Sequence, residues 1–527
     1  MCAKPEIDPL TTPNRTTLLR LADRINASLE EHYWRWAFIF VVALLGCSIA
    51  KDVRQKMWLD ELLTVHMAQQ GGAAQILRAT KDGSDGAPPL YAMIVSSYMS
   101  VFKSQSLAVR LPATVAYCAM VLCLLAFSRR RLPAIYSFVA ALFVCDACLW
   151  YATEGRGYGI VLGCTAGALL CWQMATEDRR RGLALTLLAA CLALMTAVHY
   201  YAIFFLVPLL LAEVVRWRRS HKVDCSILAA MLPALLVLVA HYPLIRAWQP
   251  VQAHRCLPAT WNQIPEFYVR YLLSLWAVFL SAAIALGIFS DLGDFKNARP
   301  TGILRQEWAA IAALSLIPLL MVATSKYTTH VFVHRYALWA VIGIALLFSG
   351  VLSFAANQQT TVGLAVLGVL LVSLAIQEIR ALWTIPVLQR GEAVLRELET
   401  LPNTQEPIVV ANAPAFVELS YYAEPRLRQR LVYALSRDLE LRYTHCDTFA
   451  LLMLGLSRHT NLHIVDYNAV VAEDASFLLA AAADDYLPKH LIAAGYQLTP
   501  LNPGNPPVLY AVQAPEVQRK VGDGTNH

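Results

Sequence analysis

Several short stretches of this chain carry carboxylates and cations that could move a proton and hold a phosphate. The first is Trp58-Leu59-Asp60-Glu61-Leu62. Its acidic pair opens an amphipathic segment beside a tryptophan suited to a membrane interface. Asp60 is a candidate general base, with Glu61 beside it as a second catalytic or metal-supporting carboxylate. A solvated helix N-terminus, where acids favour the dipole, would leave the same trace. The second stretch, Asp82-Gly83-Ser84-Asp85-Gly86-Ala87-Pro88-Pro89-Leu90-Tyr91, is a flexible acidic turn closed by two prolines that launch a helix, a position proline favours.

Two further stretches supply cations. In Glu154-Gly155-Arg156-Gly157-Tyr158 the glycines allow close backbone approach. Arg156 has either Glu154 or a bidentate phosphate as its partner. His330 to Tyr336 brings His334 and Arg335 to the start of an apolar run, where the arginine reaches lipid phosphate or a substrate phosphate. His199 and Tyr200 are candidates for the same pocket.

These residues need a scaffold, and the composition says which kind. The chain has 527 residues, 57% of them hydrophobic and 15% charged, with mean hydropathy +0.48. Apolar runs near the ~20 residues that cross a bilayer recur from Tyr33 to about Glu378. A net charge of +6 collects in short loops between those runs, a pattern of membrane topology rather than of nucleic-acid binding. Most of the 12 cysteines lie inside apolar runs, and none has metal-site spacing. Residues 1–32 are polar and the first apolar run ends at Lys51-Asp52 without a cleavage site, so that run is expected to stay as an anchor.

The basic clusters order the topology. Arg129-Arg130-Arg131, Arg179-Arg180-Arg181, Arg216 to Lys222 and Lys296 to Arg305 should share the cytoplasmic side. Spans at 33–50, 107–127, 132–150, 157–176, 183–198, 200–215, 225–247, 267–289, 306–324, 336–355 and 361–378 satisfy this, with the N-terminus inside and the C-terminus outside. The scheme requires that 89–103 does not cross. At roughly 22 Å of helix the segment is too short to do so, and a helix on the outer face is expected. Asp60, Asp85, Glu154 and Arg335 then share one face.

The expected fold is a polytopic α-helical membrane protein of about eleven spans plus that short outer helix, with a soluble α/β domain after it. Residues 1–32 form a cytoplasmic segment, 33–378 the membrane domain with its first outer loop at 51–106, and 379–527 the outer domain. In the last, Pro407 to Val410 and Leu462 to Val465 read as strands, and Ala415 to Ala423 and Ala472 to Ala483 as helices.

In order and spacing these motifs resemble the GT-C superfamily of integral-membrane glycosyltransferases, in particular the bacterial relatives of protein O-mannosyltransferases and lipid A aminoarabinose transferases. The resemblance covers the first ~350 residues. It rests on Trp58 to Glu61, Asp85 to Tyr91 (like Asp-x-His-Pro-Pro-Leu-Tyr), Arg110-Leu111-Pro112, Glu154 to Tyr158 (like Glu-Ala-Arg-x-Tyr), His199-Tyr200 and Arg335-Tyr336. Ala87 stands where relatives often carry His, and Gly155 where Ala is common.

The resemblance implies an inverting transferase of the bacterial inner membrane. Its donor would be a polyprenyl-phosphate sugar and its acceptor a glycan, lipid or protein at the periplasmic face. Asp60 would be the base; Asp85, Pro89, Tyr91, Glu154, Arg156, Tyr158, His199, Tyr200, His334 and Arg335 would bind substrate. No cofactor is certain; a divalent metal, if used, would fall to Asp60, Asp85 and Glu154. The competing classes are a lipid or polysaccharide flippase, which would carry ionisable groups at mid-membrane and repeated halves, and an altered GT-C-like assembly protein, which the Ala87 position would suit.

Overall fold

The computed structural model describes residues 13–248, 258–289, 301–383, 391–400, 406–473, 476–482, 485–501 and 509–515. Eleven helices run from the start of the chain: α1 (Pro13–Glu31), α2 (Tyr33–Arg54), α3 (Leu59–Ala68), α4 (Ala73–Lys81), α5 (Leu90–Met99), α6 (Gln105–Arg129), α7 (Ala134–Cys148), α8 (Tyr158–Thr176), α9 (Arg181–Val198), α10 (Leu206–Ser220) and α11 (Cys225–Ala247). The later membrane segments are Gln263–Phe289, Arg305–Ser315 with Ile317–Tyr327, Ala340–Ala355 and Thr360–Trp383.

Among the described residues, nine helices are long and apolar enough to cross a membrane, or ten if the bent pair Arg305–Ser315 and Ile317–Tyr327 is one span. The pair is bent by 47°, and Pro318 in the first turn of its second helix explains the break, because proline cannot donate back to the preceding turn. The eleventh expected span is the shorter helix Ala340–Ala355. The expectation for 89–103 is met by α5, a ten-residue helix, about 15 Å long. Tyr91 holds it down, donating its hydroxyl proton to the Val109 carbonyl at 2.7 Å.

Small residues let the central helices close. A side chain at Gly159 would sit 2.3 Å from the Ala113 carbonyl, and one at Gly163 would sit 2.5 Å from that of Ala116, so α8 lies directly on α6. α7 is buried along its length and fills the middle of the bundle.

One end of the bundle gathers the basic clusters. Arg131 reaches Glu177 at 2.5 Å and Glu307 at 2.7 Å, while Arg181 and Arg216 both reach Asp224, at 2.6 and 2.8 Å. The loops α6–α7, α8–α9 and α10–α11 and the start of Arg305–Ser315 therefore share one end, as the charge argument requires. Lys296 and Arg299 lie outside the described residues.

The C-terminal unit is a six-stranded sheet in the order β3-β2-β1-β4-β6-β5. The strands are β1 (Ile408–Val410), β2 (Leu431–Leu435), β3 (Ile464–Asp466), β4 (Ser476–Ala480), β5 (Gln497–Pro500) and β6 (Leu509–Gln513). The first four are parallel and β6 runs antiparallel to β4 and β5. One expectation fails here: residues 476–480, read as part of a helix, are the strand β4. It lies between β1 and β6, and with both faces covered Phe477 to Ala480 need no alternation, so the run of apolar residues looks like a buried helix in sequence.

Candidate active site

The first anchor is Glu61, and it is not where a catalytic carboxylate was expected. Its two oxygens meet Arg110 Nε and Nη2, each at 2.7 Å, and Oε1 also accepts the Gly155 amide at 2.7 Å. Arg110 spends its remaining donors on the carbonyls of Asp52, Gln55 and Lys56 and on Ser106 Oγ. Glu61 is 1% exposed and Arg110 2%. A fork so fully satisfied fixes geometry. It ties the start of α3 to α6 and to the loop after α7, and leaves Glu61 no free oxygen to offer a substrate.

Glycine makes that closure possible. A side chain at Gly155 would lie 2.3 Å from Val109 Cγ1 and 2.9 Å from Glu61 Oε1; one at Gly157 would lie 2.0 Å from Val198 Cγ1. Close approach, rather than an unusual dihedral, is what these positions need.

The turn presents Arg156 to the acidic loop. Arg156 Nη1 lies 2.6 Å from Asp85 Oδ2 and Nη2 lies 3.2 Å from Oδ1, while Thr64 Oγ1 accepts from Nη1 at 3.2 Å. Asp85 Oδ1 also accepts the Ala87 amide at 3.0 Å, a local turn that orients the carboxylate. Ala87 serves this turn through its backbone, which any residue but proline supplies.

Asp60 stands between two arginines. Its Oδ2 is 2.8 Å from Arg335 Nη2 and 4.0 Å from Arg156 Nε. Arg335 itself is clasped by aromatic faces, its guanidinium carbon 5.5 Å from the Trp58 ring centre and 5.8 Å from that of Tyr158. Burial works against the charge on both arginines, but the facing groups, led by Asp85 for Arg156 and by Tyr158 and then Asp60 for Arg335, outweigh it and hold both cationic.

Glu154 closes the group. It is 3% exposed and its Oε2 accepts no hydrogen bond among the described residues. Burial raises its pKa to about 8 in spite of Arg335, so the carboxyl is largely protonated at neutral pH. His199 lies within ring-stacking range of Tyr158, Tyr336 and Trp339. Burial, then the charges of Arg335 and Arg156, depress it to about 3, which keeps the imidazole neutral.

Other expected members make contacts outside these ion pairs. Tyr91 and Pro89 build and seat α5. Tyr200 packs edge-on against His241, 5.7 Å between centres. His334 lies 3.4 Å from Glu266 and, with it, Asn262, Pro265 and Arg270, lines an open groove of about 580 Å³. Among the described residues no three His, Cys, Asp or Glu side chains are placed to hold a metal ion. Asp60, Asp85 and Glu154 do not form the ligand set named for one, because arginines already occupy the first two.

Sequence reasoning missed Thr64 and the anchoring role of Arg110. Thr64 was traceable only as the residue one helical turn beyond Asp60. Arg110 sits in an apolar run, where an arginine demands a partner; that signal could have prompted a search for a buried carboxylate.

The comparisons agree with this architecture. Residues 86–243 match the family model described as dolichyl-phosphate-mannose-protein mannosyltransferase. No curated protein matches the chain. Among solved structures it is similar to ArnT from Cupriavidus metallidurans in the apo state, with TM-score 0.57, 11% identity, and coverage of 91% of this chain and 98% of that one. It is also similar to the same protein bound to undecaprenyl phosphate, with TM-score 0.50, 12% identity, and coverage of 92% and 98%. The chain is thus a polytopic helical membrane protein whose fold is similar to that of ArnT, and its residues 86–243, from the end of the acidic loop into α11, match the mannosyltransferase family model.

Proposed function

We propose that the chain transfers a sugar from a polyprenyl-phosphate donor to a nucleophilic acceptor at the end of the bundle opposite the basic clusters. The observation that carries this is Asp60 held between Arg335 and Arg156, a carboxylate beside two fixed cations at one surface. The likeness to a structure that binds undecaprenyl phosphate supports the donor class. A flippase would need its charges along a path through the membrane, whereas these collect at one end.

In the mechanism, the donor phosphate draws Arg335 off Asp60. The freed carboxylate takes the acceptor proton, and the acceptor atom forms a bond to the anomeric carbon from the face opposite the phosphate. The bond from that carbon to the phosphate oxygen breaks, and polyprenyl phosphate leaves with its charge offset by Arg335 and Arg156. Asp85 and Thr64 keep Arg156 in place, and neutral Glu154 can donate a hydrogen bond to the sugar.

In this reading residues 33–378 are the catalytic unit of a bacterial inner-membrane enzyme. Residues 379–527 form an outer domain, with the N-terminus cytoplasmic. Cys446 in the C-terminal unit is disulfide-bonded, which supports an oxidising, extracytoplasmic side. The test is mass spectrometry of envelope glycans, lipids and glycoproteins in a strain lacking the gene. Loss of one sugar from a defined acceptor is expected; an unchanged profile in all three fractions argues against the reading.

A further inference from the structure

The reach of the C-terminal unit into the first loop has a specific point of contact. Between α2 and α3, residues 55–58 are not helical, and several of their polar backbone groups are held by side chains. Arg110 binds the carbonyls of Gln55 and Lys56, and Glu61 accepts the Trp58 amide at 3.3 Å. The remaining residue, Met57, is 2% exposed and is held by one hydroxyl: Tyr422 Oη accepts the Met57 amide at 2.6 Å and lies 3.3 Å from the Met57 carbonyl, to which it can donate. Tyr422 ends the helix Ala413–Tyr422, and its ring also lies 5.5 Å from the Lys56 ammonium.

We infer that Tyr422 is a positioning residue through which the C-terminal unit sets the direction of Asp60. The reasoning is geometric and rests on the reading of Asp60 as base. Asp60 lies in the first turn of α3, three residues beyond Met57, so the path of the strap fixes where its carboxylate points. The Arg110 and Glu61 clamps come from the membrane unit; this one arrives from 365 residues away in sequence. Docking as such does not depend on it. Tyr421 Oη donates to Gln105 at 2.5 Å, His459 pairs with Asp82 at 2.8 Å, Gln70 donates to the His459 carbonyl at 2.9 Å, and Gly455 lies directly on the Gly83 backbone. With those contacts intact, removal of the Tyr422 hydroxyl frees both polar groups of Met57 while leaving the two units joined. A displacement of about 1 Å at a reacting group costs up to ~10²-fold in rate.

The test compares Tyr422→Phe with Tyr421→Phe in the full chain in lipid nanodiscs. Tyr422→Phe is expected to lower the transfer rate about tenfold, to leave the affinity for undecaprenyl phosphate within about twofold, and to speed amide exchange at Met57 to Leu62 alone. Tyr421→Phe should do none of these. Equal behaviour of the two variants, or faster exchange across the whole C-terminal unit in Tyr422→Phe, overturns the inference. The exchange measurement needs no substrate. If Asp60→Asn retains transfer, the base assignment fails instead; if it loses transfer while Tyr422→Phe does not, the positioning role alone fails.

Discussion

At the scale of single residues, the site separates carboxylates that look equivalent in sequence. Asp60 and Glu61 are neighbours, yet one faces Arg335 and Arg156 and the other is locked into Arg110. Helical geometry accounts for this, since adjacent residues point about 100° apart. Glu154 is set apart again by burial. Its folded pKa of about 8 lies above the ordinary glutamate value of 4.5, so between those two values the folded chain keeps a proton that the unfolded chain has lost. Its contribution to stability is therefore full below about 4.5, falls as pH rises, and is gone above about 8. Glu154→Gln, which copies the protonated form, should flatten that slope in thermal unfolding measured from pH 5 to 8. An unchanged slope would place the titration elsewhere. Residue types in the sequence marked these groups as candidates for chemistry, but not which of them were already spent on one another.

At the scale of elements, most of the architecture was readable because apolar length and basic loops are strong signals. The short helix α5 followed from charge parity and from its length, and the salt bridges that gather the Arg131, Arg181 and Arg216 loops at one end agree with the parity. What could not be read was β4, whose covered faces erase the alternation that marks a strand, and the turning of His334 toward Glu266 while its neighbour Arg335 faces Asp60. Both depend on packing partners distant in sequence. The α6–α8 contact gives a prediction at this scale: Gly159→Ala places a methyl group 2.3 Å from the Ala113 carbonyl. Such overpacking should cost about 1–3 kcal/mol and appear as a lower unfolding temperature. A neutral effect would mean that the two helices separate easily.

At the scale of the whole molecule, the protein has two ends: a basic end, and an opposite end where the acidic loop, Arg156, Arg335 and the C-terminal unit meet. Sidedness follows directly. Cys225 is exposed near the basic clusters, and Asn461 is exposed in the C-terminal unit. A membrane-impermeant thiol reagent applied to spheroplasts should label Asn461→Cys and leave Cys225 untouched until the membrane is opened; the reverse pattern would invert the topology. The claim on which the rest depends is that Asp60 is the base, and it is tested most directly by the initial rate of sugar transfer in membranes carrying Asp60→Asn at matched protein levels. The account predicts a loss on the order of 10²–10⁴-fold with undecaprenyl phosphate still bound; transfer at a near-normal rate would contradict it.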